Sequence, residues 1–398
     1  MAELIPFRWP KEWADASRLE LLKGTPINCL VGEAPPPFPL GNLQFVKLAK
    51  GQSPEGVTVH EGVWPRVLPA STKDAAEAGA TGAAWVDSNA GVIRMAQTLE
   101  PGKAVWLDYE APGGNEVVPL DRFARAVAEA QAYNAHWIVT LSPPFLEGLE
   151  KKSQEAAGAW KRVVAAMNLF QAHPEWRTYE PVAALAVVSS FEGEVQLMSE
   201  EFVKLAPRRH LAYRVFRTAD LAGVSLDQFK GVIYIEAQPP DGEVRKKLLA
   251  FAEAGGLLVS PQGLVSGEPS EIRIGYRIHR AGKGRVAMPP EAWYDPYLLM
   301  GEVHQLLSHR EDVVRVWNGA DMNSHFVAPP GQERGVVHLI HYSSGTTQPV
   351  TLGFSRPYRR ARVYTLDGSR DIQPEAGGLG IEFPVGEFSS YAAVEVQS

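Results

Sequence analysis

Lys230 to Gly263 reads KGVIYIEAQPPDGEVRKKLLAFAEAGGLLVSPQG. Val232, Ile233, Tyr234 and Ile235 form a short apolar run that ends in a Pro239-Pro240-Asp241 turn. Apolar residues at Val244, Leu248, Leu249, Phe251 and Ala252 then follow helical spacing. Gly255-Gly256 stops that helix before a second apolar run. The spacing predicts a strand, helix, strand unit.

The same alternation extends upstream. Ala183 to Val188 and Ala212 to Phe216 read as strands, with a helix from Met198 to Ala206 between them. Strands near 183, 212, 231 and 257 predict a flavodoxin-like domain over residues 182–308. Beyond Glu311 the character changes. Val313–Val316, Gly335–His341, Val350–Gly353, Ala361–Tyr364, Ile381–Pro384 and Ser390–Val396 are short runs punctuated by Gly, Pro and Asp, which predicts a small antiparallel β-sandwich over 309–398.

Residues 1–181 also alternate. Pro26–Val31, Val57–His60, Ala83–Val86, Ala104–Leu107 and His136–Leu141 are strand-like. Helices are expected near Leu40–Ala49, Lys73–Ala78, Ala90–Leu99, Leu120–Tyr133 and Ala156–Gln171. Repeated β-then-α order implies a parallel sheet with helices outside it. Five strands are too few for an eight-stranded barrel, so the region reads as an incomplete, TIM-barrel-like α/β domain or an open α/β sheet.

Composition narrows the function classes. A chain of 398 residues with net charge −7 and no basic cluster lacks the Lys/Arg-rich face that phosphate neutralisation needs, which argues against nucleic acid. No apolar run approaches the roughly 20 residues that span a bilayer. The first residues, MAELIPFRWPKEW, lack a basic flank followed by an apolar core, so a cytoplasmic location is expected by default. The single cysteine, Cys29, permits no internal disulfide and no multi-thiolate metal site, and it reads as a small buried strand residue. His60 and Glu61 have no third ligand at a recognisable spacing. No metal and no cofactor is expected. The domain at 182–308 has no cysteine for amidotransferase chemistry, and Ser189-Ser190-Phe191-Glu192-Gly193 lacks the spaced glycines of a dinucleotide site.

Two further runs stand in the first domain: GKAVWLDYEAPGGNE, Gly102 to Glu116, and RFARAVAEAQAYNAHWIVTLSP, Arg122 to Pro143. With the Lys230–Gly263 unit and the sandwich behind them, they resemble the domain order of family 42 β-galactosidases. That order is the end of a TIM barrel, then a class I amidotransferase-like trimerisation domain, then a β-sandwich. The resemblance covers about three quarters of the chain in domain order. It implies a glycoside hydrolase-like protein that acts on or binds carbohydrate, and a homo-oligomer built through the middle domain. In such enzymes the nucleophilic glutamate ends the seventh barrel strand, and Glu110 falls there, with Asp-Tyr-Glu-Ala replacing the family's Met-Glu-Gln. The family's acid/base follows an asparagine at the end of the fourth strand. The sole Asn-Glu pair here, Asn115-Glu116, lies in a loop.

Glycoside hydrolysis of the retaining kind needs two carboxyl groups about 5 to 5.5 Å apart. Strand-end positions of a parallel α/β domain share one rim, where ligands bind. Glu33, Glu61, Asp87, Asp108 and Glu110 all follow strands. Glu110 is the candidate nucleophile, with Glu61 or Asp87 as proton donor. Asp108 with Trp64, Trp85, Trp106, Tyr109 and Trp137 are candidate substrate contacts, because flat rings with a polar edge suit sugar faces. Glu33 precedes Ala34-Pro35-Pro36-Pro37 and reads as a solvated turn residue. The His338 and His341 pair is expected on a partly exposed sheet face. Arg208-Arg209-His210 and Arg359-Arg360 are expected as solvated surface. The alternative to the enzyme is a non-catalytic carbohydrate-binding or assembly protein that has lost the carboxylate pair.

Overall fold

The structure is a computed structural model that describes residues 3–49, 51–67, 86–109, 118–290, 295–377 and 380–398. It is a mixed α/β chain with parallel and antiparallel sheets. Lys73–Ala78, Trp85 and Glu110 lie outside the described residues.

Two three-stranded parallel sheets make up the first part. One runs β1 (Pro6–Arg8), β2 (Cys29–Gly32), β3 (Gln44–Lys47), and the other β4 (Val57–Glu61), β7 (Ala104–Asp108), β8 (His136–Trp137). A parallel bridge from Phe7 to Val139 joins β1 to the end of β8, with Arg8 N donating to Val139 O at 2.9 Å. The spatial order is therefore β3-β2-β1-β8-β7-β4. Val46 and Val59, from the two ends of that order, pack on one small cluster of Cys29, Val31, Leu48, Val57, Trp106 and Ile138. The strands curl around this cluster. Alternate residues, Phe7, Leu30, Val105, Leu107 and Trp137, face outward into a larger core. That core is completed by α1 (Ala90–Leu99), α2 (Asp121–Ala132), α3 (Pro143–Glu150) and α4 (Gln154–Ala172).

Two expectations are corrected here. Leu40–Ala49 is no helix, because Gln44–Lys47 pairs in parallel register with Cys29–Gly32. Val86–Asp87 (β6) does not join the parallel set; it pairs antiparallel with Arg66–Val67 (β5). The strand Pro6–Arg8 is an addition.

The second part is a seven-stranded sheet ordered β11 (Tyr213–Arg217), β10 (Leu185–Ser189), β12 (Gly231–Tyr234), β13 (Leu257–Val259), β16 (Gly284–Met288), β15 (Tyr276–Ala281), β14 (Glu271–Arg273). The first five are parallel and the last two antiparallel. Both faces are covered. Leu185, Val187, Ile233 and Val259 meet α5 (Gln196–Leu205) and α7 (Pro296–Leu307), while Val188, Val232 and Leu258 meet α6 (Gly242–Ala254). That explains the unbroken apolar runs in the sequence. The double glycine after α6 has two separate causes. Gly255 takes φ +127° at the helix stop, and a Cβ on Gly256 would lie 2.2 Å from the Phe251 ring.

The third part holds two sheets, β17 (Val314–Trp317), β20 (Val350–Phe354), β24 (Gly380–Gly386), β23 (Glu375–Gly377), and β22 (Gly368–Ile372), β21 (Arg360–Thr365), β25 (Tyr391–Gln397), β19 (Arg334–His341), β18 (Met322–Ala328), β9 (Glu180–Pro181). All pairings are antiparallel. Val337, Leu339 and Val394 face the smaller sheet, and Val336, Ile340 and Ala393 face the first part. The larger sheet is thus covered on both sides. His338 and His341 are consequently buried, not on a partly exposed face. Arg208 is buried as well, with its guanidinium over the Tyr297 ring, so that basic spot is not solvated surface. Among the described residues no helix is long and apolar enough to cross a membrane.

Candidate functional site

The carboxyl ends of the curled strands form one rim. In β4, Val57 and Val59 point inward, so Glu61 does too; in β7 the inward residue Trp106 makes Asp108 inward. Glu61 and Asp108 are register partners across the β4–β7 ladder. Neighbouring strands lie about 4.8 Å apart, so the two carboxylates leave the sheet side by side. In β1 the same alternation places Arg8 inward, and its Nη2 meets Asp108 Oδ1 at 2.5 Å. A cavity of about 360 Å³ opens here, lined by residues that include Leu48, Gln52, His60, Glu61, Asp108 and Tyr109.

The remaining predicted residues divide. Glu61 is exposed, and among the described residues it makes no ion pair. Asp87 binds Arg66 Nε at 2.9 Å in the β5–β6 pair, apart from the residues lining the cavity. Glu33 pairs with Lys11 at 3.0 Å in solvent. Tyr109 stacks on Trp137 at 6.0 Å and 24°, and Trp64 meets Tyr109 edge-on at 5.0 Å. Trp64 and Trp137 are buried, and their indole nitrogens have no protein partner. Trp106 sits inside the curl, below the rim. The structure therefore brings Glu61, Asp108 and Tyr109 together, and sets Asp87 and Trp106 apart from them. Trp85 and Glu110 cannot be placed among the described residues. Arg8 was missed in the sequence, since Pro6 within a three-residue strand conceals the strand that aims it.

Gly62 shows how tightly the rim is built. Its N–H donates to Asp108 O at 2.8 Å, and an added Cβ would come within 2.8 Å of Trp137 Cζ3. Gly62→Ala should destabilise the protein by about 1–3 kcal/mol through overpacking. Denaturant unfolding measures this; an unchanged midpoint would contradict the packing.

A second polar centre stands behind the rim. Glu129 on α2 is fully buried and accepts from Ser88 Oγ at 2.8 Å, Asn89 N at 3.1 Å, Asn89 Nδ2 at 2.8 Å and the Tyr342 hydroxyl. Burial raises its carboxyl above the ordinary range, against the pull of those hydrogen bonds. Asn89 Oδ1 also accepts from Val63 N, tying this network to the loop after β4. It was not visible in the sequence, where Glu129 lies within an alanine-rich helix.

Among the described residues, one group has the composition of a metal site: His304, His309 and Asp312. Asp312 is engaged on both oxygens, by His304 Nε2 at 2.9 Å and His309 Nδ1 at 3.2 Å, with the Arg315 guanidinium 3.8 Å away. The group is closed by its own hydrogen bonds and lies far in sequence from the rim.

No protein-family model and no curated protein matches the chain. Solved structures do. The α-L-fucosidase isoenzyme 2 of Paenibacillus thiaminolyticus superposes with TM-score 0.52 at 13% identity, covering 76% of this chain and 62% of its own. A β-galactosidase from Bacillus circulans sp. alkalophilus gives 0.51 at 10% identity, covering 77% and 57%. Gan42B, a GH42 β-galactosidase from G. stearothermophilus, gives 0.49 at 11% identity, covering 77% and 56%. The chain spans about three fifths of the length of these enzymes. Over about three quarters of its own length, at low sequence identity, it is structurally similar to this α-L-fucosidase and this β-galactosidase, and the likeness is one of fold.

Proposed function

We propose that this chain is a glycoside hydrolase-like protein that handles carbohydrate at the carboxyl rim of its curled parallel strands. The observation that carries the reading is the pairing of Glu61 with Asp108 at one level of the β4–β7 ladder, both inward and both lining the rim cavity. Glu110, two residues beyond Asp108 in the sequence, is assigned the nucleophile. Glu61 is assigned the proton donor in preference to Asp87, whose carboxylate faces Arg66. Asp108, fixed by Arg8, and Tyr109 orient the sugar. Trp64 and Trp137 back Tyr109, Trp85 is a further proposed contact, and Trp106, below the rim, is left out of the set. The architecture assigned to support this site is a shortened TIM-barrel-like domain, a flavodoxin-like amidotransferase-type domain and a β-sandwich, divided near residues 181 and 308. The middle domain is assigned to homo-oligomer assembly, and a monomer by light scattering would remove that part.

Aryl glycosides test the chemistry. Glu110→Gln is expected to lower kcat/KM by about a thousandfold or more. Glu61→Gln should lower it about a hundredfold on a poor leaving group and much less on dinitrophenyl glycosides, which need no proton. A 2-fluoro-sugar inactivator should label Glu110. One specific observation favours a second reading, a carbohydrate-binding protein without turnover: Asp108 and Asp87 are each held by an arginine. Saturable quenching of tryptophan fluorescence by sugars, with no labelled glutamate and no turnover in folded protein, would select that reading. Absence of both turnover and binding would remove the proposal.

A further inference from the structure

A second cavity, of about 750 Å³, lies at the opposite, amino-terminal ends of the parallel strands. Its walls come from Val57 and Ala104 at the starts of β4 and β7, from α2 and α4, and from His325 and His338 of the larger antiparallel sheet. That volume falls within the range of about 300–1,000 Å³ typical of small-molecule sites. None of the rim residues lines it.

Three of its lining residues carry buried polar atoms without a protein partner: the Tyr133 hydroxyl, the Trp176 indole nitrogen and the Tyr179 hydroxyl. Tyr133 and Trp176 are 2% and 3% exposed. Buried polar groups are normally paired, so three orphans around one cavity call for a partner supplied from outside. The walls are otherwise aromatic. Phe170 meets Trp176 edge-on at 6.0 Å and stacks on His338 at 5.9 Å, and Tyr133 stacks on His325 at 4.5 Å.

Three of the four acidic and basic residues that line the cavity, Glu3, Lys103 and Arg177, are paired. Glu3 is paired with Arg177 and with His136 Nε2. A guanidinium only donates, so Arg94 Nη2 bonding His325 Nδ1 leaves the His325 hydrogen on Nε2. Burial pushes His136 down to about 4 and His338 to about 3, so both rings are neutral at pH 7. Lys103 is paired with Glu100 at 2.7 Å, so an anion finds no free cation on these walls, while exposed Glu55 is the lining carboxylate without an ion pair among the described residues.

We infer that this cavity is a second binding site, for an uncharged cyclic polyol such as a pyranose ring of a mono- or disaccharide. Ring C–H faces pack on the aromatic walls, and sugar hydroxyls both donate to and accept from the two phenols while accepting from the indole N–H. The inference does not depend on the rim: the two cavities share no lining residue.

Calorimetric titration of the full chain with the methyl pyranosides of galactose, glucose and L-fucose, and with lactose, tests it. At least one is expected to bind saturably. Tyr133→Phe and Trp176→Phe, each removing one polar atom and keeping a ring, should raise Kd about 2- to 12-fold, the range for one neutral hydrogen bond. Glu61→Gln and Asp108→Asn should leave that Kd unchanged. Circular dichroism identifies any variant that does not fold, and Tyr179→Phe then supplies the same measurement. No saturation by any of the four sugars up to about 50 mM overturns the inference. So does a Kd that moves with the rim variants and not with the cavity variants, or tighter binding of free adenine than of any sugar.

Discussion

Lowering the pH from 7 to 5 should strip about 6 kcal/mol of folding stability through three histidines, His136, His210 and His338. Burial takes their folded pKa from 6.5 to about 4, about 4 and about 3. A depressed folded pKa means that the unfolded chain binds the proton first. The stability is then fully present above about pH 6.5 and lost as pH falls towards the folded values, at about 2 kcal/mol per group by pH 5. Each ring has a structural reason to stay neutral. His210 donates from Nε2 to Gly319 O at 3.0 Å and accepts at Nδ1 from Ser324. His338 is bonded to the Tyr391 hydroxyl, between aromatic rings. The Glu3 charge near His136 is shared with Arg177, which leaves burial dominant there. His325 and His341 are depressed in the same direction, His325 by burial together with Arg94 and His338, His341 by burial together with Arg125. Denaturant unfolding across pH 5 to 7 measures the slope, and stability that is flat over that window would refute the burial account.

Glu129→Ala is the other large effect expected. It removes the acceptor for Ser88 Oγ, Asn89 N, Asn89 Nδ2 and the Tyr342 hydroxyl, and leaves donors stranded in the core beside a new void. At about 1–3 kcal/mol for each donor left unpaired, a loss of about 3 kcal/mol or more is expected. Its titration runs opposite to that of the histidines. A raised folded pKa gives stability that is present below the unfolded carboxyl value and lost as pH rises through the folded one. Glu129→Gln removes that term, so its stability should rise more steeply from pH 5 to 7 than the wild type's. Parallel curves would mean that Glu129 does not titrate in this window.

Helices with a full turn of regular spacing were legible in the sequence: Ala90–Leu99 is predicted and found, and Leu120–Tyr133 differs only at its ends. Central strands were legible for the same reason, since burial on both faces writes an unbroken apolar run at Leu185–Ser189 and Gly231–Tyr234. What escaped was structure decided at a distance. Gln44–Lys47 is a strand because Cys29–Gly32 lies beside it, and apolar residues at Leu40, Leu43 and Val46 fit a helix equally well. Strand-end position pointed to Glu61 and Asp108, because parity and direction are local properties. The Arg8 clamp on Asp108 joins residues 100 apart, and the Glu129 network joins α2 to Tyr342, the residue after β19; neither leaves a local pattern. His338 and His341 lie in a strand whose alternation reads as half-exposed until a second face is found to be covered.

The short pairing of Glu180–Pro181 with Val327–Ala328 bears on how such a chain could have been assembled. The backbone leaves the edge of the large antiparallel sheet at Pro181 and returns to it in β18, which starts at Met322 and whose last residues lie against that edge, with Val182 N bonded to Phe326 O at 2.9 Å. The doubly covered parallel sheet is also tied to its neighbours by Arg94 donating to Tyr213 O and by His210 bonding Ser324 and Gly319, so exchanging the module at the Pro181 seam means giving up those bonds as well.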